Sequence, residues 1–367
     1  MNILLAPDKF KGSLTAEQVC SIIERGIRSV IPDANIVSCP IADGGDGFAD
    51  LLCDRLGGEW IECPAHDALD RPITARYALC GEAAVMEMSE ASGIRLIEEE
   101  LKDIWNANTC GTGEMMRHAV EESKVKRIIL GIGGSVTNDA GCGMASALGV
   151  RFFDAHGGEI KPTPKALASC ARVDVSDRID LPEIHVACDV ENPLLGLDGA
   201  TRVYGPQKGA REEDMEKLEA VLEHLARLTN GLEESVVPGA GAAGGLGFGL
   251  IKFCDAELMS GFDLVAREIN LLEKITAADV VVTGEGKLDS QTLQGKGPAG
   301  VALLARDAGK KIAAIAGIIE EPAKPFFDHT YALHDESRPL DETIRRGEEL
   351  LEASAAEMAR DLQNHQQ

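Results

Sequence analysis

Val280-Val281-Val282-Thr283-Gly284-Glu285-Gly286-Lys287-Leu288-Asp289-Ser290 is a β-branched apolar run that breaks into glycine, acid, glycine, lysine and a second acid. β-branched side chains suit a pleated, buried surface, and glycine lets the backbone turn sharply and bring its N–H groups close to an anion. The stretch reads as a buried strand whose carboxyl end opens into a functional loop, where an open α/β sheet binds ligands.

Three further segments have the same grammar. Ala6-Pro7-Asp8-Lys9-Phe10-Lys11-Gly12-Ser13 follows the apolar residues 3–6, and Gly131-Ile132-Gly133-Gly134-Ser135-Val136-Thr137-Asn138-Asp139 follows 128–132. Ala42-Asp43-Gly44-Gly45-Asp46-Gly47 follows the looser run 36–41. Lysines neutralise phosphate charge, and paired carboxylates hold Mg²⁺ or accept a hydroxyl proton. Together the four loops read as the apparatus of a phosphoryl-transfer enzyme.

Each loop also has a structural explanation. Asp43 and Asp46 could form Asx-turns, Ser13 could help start a helix, and the polar side chains of 135–139 could cap one. Gln294-Gly295-Lys296-Gly297-Pro298 reads equally as a phosphate cradle or an exposed turn. Gly239-Ala240-Gly241-Ala242-Ala243-Gly244 matches a dinucleotide fingerprint in spacing, but Pro238 precedes it and close helix packing explains it better. No Walker loop or kinase His-Arg-Asp triplet is present.

Composition sets wider bounds. A chain of 367 residues suits two domains, and 44% hydrophobic residues supply the interiors. Aromatics are only 4% against 39 glycines, which favours aliphatic parallel sheets with functional loops over a β-sandwich. A net charge of −25 argues against nucleic acid or an anionic membrane as partner. An anionic substrate then needs local cations, and Lys9, Lys11, Lys287 and Lys296 lie in the glycine-rich segments. The ten cysteines include no Cys-x-x-Cys pair, and the histidines, among them His66, His118 and His334, have no metal-ligand spacing. The first apolar run breaks at Pro7-Asp8-Lys9, and no stretch reaches the roughly 18 apolar residues of a membrane span. The expectation is a reduced, cytoplasmic protein, monomer or homodimer, acting on small molecules.

Strand-like and helix-like stretches alternate along the chain. Strands are expected at 1–6, 36–41, 59–63, 73–79, 83–88, 127–132, 150–153, 184–187, 279–283, 311–315 and 331–333. Thr15-Ala16-Glu17-Gln18 fits a capping box ahead of an apolar stripe that Pro32 ends. Helices are also expected at 48–56, 109–122, 140–148, 212–229, 299–307 and 341–362. Both ends look doubly wound and the middle mixed. The fold class is therefore α/β: a Rossmann-like doubly wound domain formed by both termini, 1–58 plus 275–367, with an inserted mixed α/β domain, 59–274, and an interdomain cleft.

Five stretches, 6–16, 40–47, 131–141, 239–247 and 282–292, closely resemble the glycerate kinase family of bacterial glycerate and sugar-acid breakdown, and the likeness runs through the whole chain in order. Val136 and Ala140 stand where relatives often carry Ala and Gly. The resemblance implies ATP-dependent phosphorylation of D-glycerate with Mg²⁺, leaning to the 2-hydroxyl, in a two-domain α/β fold. Within that frame the residues take candidate roles. Asp8, Lys9, Lys11, Ser13, Ser135, Asn138 and Asp139 would bind the acid. Asp43, Asp46 or Asp189 would take the hydroxyl proton; Asp189 follows the 184–188 run. Glu285 and Asp289 would hold Mg²⁺, Gly284, Gly286 and Lys296 would bind the nucleotide, and Lys287 would stabilise the phosphoryl in flight. An inactive sugar-acid-binding regulator and a nicotinamide dehydrogenase remain the competing classes; ATP loss, NADH formation or binding without turnover separates them.

Overall fold

The computed structural model describes residues 1–10, 12–41, 47–290, 297–335 and 337–364. The chain forms two compact units, Met1–Asp43 with Val265–Gln367, and Gly44–Leu264. The junctions anticipated at 58/59 and 274/275 thus fall earlier in the chain. The helix Phe48–Leu56 accounts for the first difference. The Ala49 N–H donates to Glu87 Oε1, and the Cys80 thiol to Leu52 O, so this helix is fastened to the sheet of the second unit.

In the first unit five strands form one sheet in the order His329–Ala332, Lys311–Ala316, Val280–Thr283, Asn2–Leu5, Asn35–Ser38. Every neighbouring pair is parallel. Ile3, Leu5, Val280, Val282, Ala313 and Ile315 pack with Val19, Ile23 and Ile27 of the helix Ala16–Arg28 and with Leu351, Ala355 and Met358 of the helix Gly347–Asn364. Buried Leu4, Val281 and Ala314 alternate with them and face the other way. A strand sequence with no polar alternation, such as 280–282, is what a sheet covered on both sides requires. The expected capping box is present: the Thr15 N–H donates to Gln18 Oε1 at 2.9 Å, and the Gln18 N–H to Thr15 Oγ1 at 3.2 Å.

The order of this sheet reverses its connections between the two central strands. From Asn2–Leu5 the chain crosses to Asn35–Ser38 on one side, and from Val280–Thr283 it crosses through the helix Pro298–Asp307 to Lys311–Ala316 on the other. The connections diverge between the two central strands, leaving a crevice at their carboxyl ends. The loops starting at Ala6 and at Gly284 both open there.

The second unit has a six-stranded sheet in the order Glu257–Met259, Glu183–Ala187, Arg127–Gly131, Ala83–Glu87, Pro72–Cys80, Glu59–His66. The first four strands are parallel and the last two join by antiparallel pairing, which makes the sheet mixed. The helices Cys110–Glu121 and Cys142–Ala147 pack so closely that a Cβ on Gly113 would lie 2.3 Å from Met144 O. Arg151–Asp154 pairs antiparallel with Cys170–Asp174 as a separate ribbon.

Three sequence expectations are corrected. The helix expected at 140–148 starts at Cys142, because Ala140 and Gly141 are left-handed at φ 53° and 69°. The helix expected at 341–362 is two helices, Leu340–Arg345 and Gly347–Asn364, parted at Arg346, where glycine follows and helix propensity is low. The weak strand at 331–333 is His329–Ala332, paired at the sheet edge. Among the described residues no helix is long and apolar enough to cross a membrane. All ten cysteines are free thiols and most are buried, as small hydrophobes in the packing.

Candidate active site

At the crevice of the first unit two loops are tied together. The Asp8 N–H donates to Gly284 O at 2.8 Å, and the Thr283 hydroxyl to Ala6 O at 2.7 Å. Asp8 is buried, and one of its carboxylate oxygens accepts the Lys9 N–H at 2.6 Å. Lys287 Nζ lies 2.8 Å from Glu320 Oε1 and 3.1 Å from Asp289 Oδ2. The hydrogen bond to Glu320, seconded by that to Asp289, holds its ammonium above the ordinary lysine range, so Lys287 is a permanent cation. Glu285 is half-buried in the same loop.

The glycines here have a packing reason. A Cβ on Gly284 would stand 1.8 Å from Ile315 O, and the Gly286 carbonyl accepts the Ile318 N–H at 3.1 Å. They let the loop lie flat against residues 315–318 and so set the carboxylates at the rim. Ser13, expected to touch substrate, turns back on its own loop and donates to Phe10 O at 3.2 Å. Lys11, Asp43, Asp46 and Lys296 lie outside the described residues.

Mg²⁺ usually keeps several waters and takes one or two carboxylates plus substrate phosphates. The oxygen donors Glu285 and Asp289 fit that mode, and among the described residues no cluster of three or more His, Cys, Asp or Glu side chains forms an all-protein metal cage.

In the second unit a cavity of about 320 Å³ opens at the carboxyl ends of Arg127–Gly131 and Glu183–Ala187. Gly133, Gly134 and Ser135 line it from one loop, and Cys188, Asp189 and Val190 from the other. Asp189 is half-buried, and the Gly261 N–H donates to its Oδ1 at 3.0 Å, which orients the carboxylate. Both loops were recognised in the sequence, and the structure brings Ser135 and Asp189 to one cavity.

Asp139 and Asn138 are placed elsewhere. Asp139 is fully buried and accepts from Thr109 N–H, Thr109 Oγ1, Gly141 N–H and Gly143 N–H. Burial pushes its carboxyl up and these hydrogen bonds pull it back. It organises the turn into the helix Cys142–Ala147, and its side chain does not line the cavity. Asn138 is equally buried and donates to Thr201 Oγ1 at 3.1 Å.

The Gly/Ala run is a packing device, as its sequence context suggested. A Cβ on Gly244 would lie 1.9 Å from Thr137 O, and one on Gly249 2.5 Å from Ala140 O. Ala242 and Ala243 consequently reach the cavity wall.

One residue of this site escaped the sequence reading. Lys208, 1% exposed, lines the cavity and donates from Nζ to Ser135 Oγ and to Thr137 O, both at 2.7 Å. Desolvation brings its ammonium down to about 7, opposed by the Asp139 charge. The available signal was Gly205-Pro206-Gln207-Lys208-Gly209, a lysine in a Gly/Pro turn much like Gly295-Lys296-Gly297-Pro298.

Residues 3–363 match the glycerate kinase family. A glycerate kinase of Halalkalibacterium halodurans is 43% identical, with 97% of each chain covered. A glycerate 2-kinase of Escherichia coli K12 is 41% identical, covering 90% of this chain and 88% of its own. A crystal structure from Salmonella typhimurium LT2, assigned to glycerate kinase 2, superposes with a TM-score of 0.89 at 37% identity, covering 100% of this chain and 99% of that one.

Proposed function

The chain belongs to the glycerate kinase family and is a kinase enzyme, and from that premise we propose that it transfers the γ-phosphoryl group of ATP to the 2-hydroxyl of D-glycerate, giving 2-phospho-D-glycerate. The observation that carries this reading is the cavity whose wall brings together an oriented carboxylate, Asp189, the Ser135 hydroxyl and the Lys208 amine, with room to spare for a three-carbon acid. The relative named glycerate 2-kinase supports the choice of hydroxyl. We further read the protein as cytoplasmic, since its ten cysteines form no disulfide, as suits a reducing compartment.

Phosphoryl transfer asks the protein chiefly for positioning and charge stabilisation. Asp189, steadied by the Gly261 N–H, accepts the proton of the attacking hydroxyl. Lys287, cationic at neutral pH and oriented by Glu320 and Asp289, balances negative charge that gathers on the transferring oxygens. Glu285 and Asp289 would hold Mg²⁺, which when bound screens the nucleotide phosphates. The Rossmann-like crevice of the first unit suits the nucleotide, with Gly284 and Gly286 near the phosphates and Lys9 reassigned to them from the acid, while Asp8 shapes the loop; the cavity of the second unit suits the acid. Lys11, Lys296, Asp43 and Asp46 keep the roles their loops suggest.

ADP release on mixing the protein with ATP, Mg²⁺ and either D-glycerate or glycerol tests the proposal. Release with D-glycerate and background release with glycerol support it. Background release with both, or reduction of NAD by D-glycerate, ends it.

A further inference from the structure

A buried lysine with no ion-pair partner at contact distance is costly, because desolvation favours the neutral amine. Lys208 nevertheless sits in the wall of the cavity that Asp189 and Ser135 line. Its two acceptors among the described residues, Ser135 Oγ and Thr137 O, are neutral. An ammonium has three N–H donors and no acceptor, so one donor is left over. The same bond fixes the Ser135 hydroxyl as an acceptor toward Lys208, and its own O–H must then donate elsewhere. Ser135 also lines the cavity, so one N–H and one O–H are available to a single small anion.

Building on the glycerate kinase reading, we propose that Lys208 and Ser135 together clamp the carboxylate of the acid substrate, and that binding the acid loads a proton onto Lys208. Free of ligand, the amine titrates near neutrality, since burial holds it at about 7. A carboxylate at contact distance favours the charged form. The clamp thus favours a carboxylate over the corresponding neutral alcohol, which offers no charge to hold the proton on Lys208. Asp139, Asp189, Cys188 and Tyr204 are the other titratable groups in this region, and Lys102 approaches through its bond to Gln207 O. Burial, followed by the charge of Cys188, raises Tyr204 above its ordinary range, so its phenol stays neutral through pH 9.

Calorimetric titration of D-glycerate into the full chain, without nucleotide, tests this at pH 7 to 9 in two buffers of different ionisation enthalpy. The wild type should take up close to one proton per acid bound at pH 8, and its affinity should fall about tenfold per pH unit above 8. Lys208→Met, which keeps the apolar stem, should bind at least about 30-fold more weakly at pH 7, with affinity flat in pH. The variant's profile subtracts whatever the neighbouring groups contribute. A folded Lys208→Met variant within threefold of wild type overturns the proposal. So does wild-type binding without proton uptake, a result that needs no variant. Proton-coupled binding with no ADP formed on adding ATP and Mg²⁺ upholds the clamp and removes the phosphoryl-transfer reading instead.

Discussion

Replacing Lys208 by Met should flatten the pH dependence of stability between pH 7 and 10, and the size of the change follows from one buried ammonium. Desolvation in the folded chain lowers Lys208 from its ordinary 10.5 to about 7. On unfolding it returns to water and regains the higher value. Between those limits the unfolded chain binds more protons, so stability rises with pH through the window, and the full cost of the buried charge is felt below 7. At about 1.4 kcal/mol for each pH unit, the whole window is worth roughly 5 kcal/mol, and the step from pH 7 to 9 about 2 to 3 kcal/mol. Methionine does not titrate, so the lost bonds to Ser135 and Thr137 shift its curve by a constant and leave the slope. Urea unfolding of both proteins at pH 7, 8 and 9 and fixed ionic strength gives the difference directly. The wild type should gain about 2 to 3 kcal/mol on the variant over this range. A difference constant to about 0.5 kcal/mol would refute the buried-ammonium reasoning.

Three other substitutions probe separate parts of the account. Asp189→Asn keeps a side chain able to face Gly261 but removes the base, so kcat for D-glycerate should drop at least about a hundredfold with KM for ATP unchanged; near-normal kcat strikes Asp189 from the mechanism. Gly244→Ala places a Cβ 1.9 Å from Thr137 O at φ 70°, and should cost about 3 kcal/mol in a denaturant melt; a loss below about 1 kcal/mol means the Gly/Ala run packs more loosely than described. Asp289→Asn should raise the Mg²⁺ concentration for half-maximal rate roughly tenfold while D-glycerate affinity measured by calorimetry stays the same, and an unchanged Mg²⁺ requirement moves the ion away from this loop.

Local chemistry carried far into the fold. The run 280–282 announced a strand buried on both faces, Thr15 and Gln18 announced a helix start, and the helix expected at 212–229 is Glu212–Leu228, with Met215, Leu218, Leu222 and Leu225 buried along one stripe and Leu228 half-buried at its end. Those signals lie within a few residues of one another. The short strand Glu257–Met259 has no such pattern, because it is defined only by pairing with Glu183–Ala187. The same limit divides the site. Ser135 and Asp189 stand out as polar residues at strand ends, but whether a polar residue faces ligand or scaffold depends on partners far away in sequence. Asp139 is consumed by donors from Thr109, 30 residues back, and Lys208 gains its meaning from Ser135, 73 residues away.

The regiochemistry of transfer tests the central claim most directly. With ATP, Mg²⁺ and D-glycerate, the product should feed purified enolase at once, with no phosphoglycerate mutase present, because only the 2-phosphate is enolase's substrate. Formation of phosphoenolpyruvate that waits on added mutase would show transfer to the 3-hydroxyl, and ATP left unconsumed under the same conditions would contradict the account altogether.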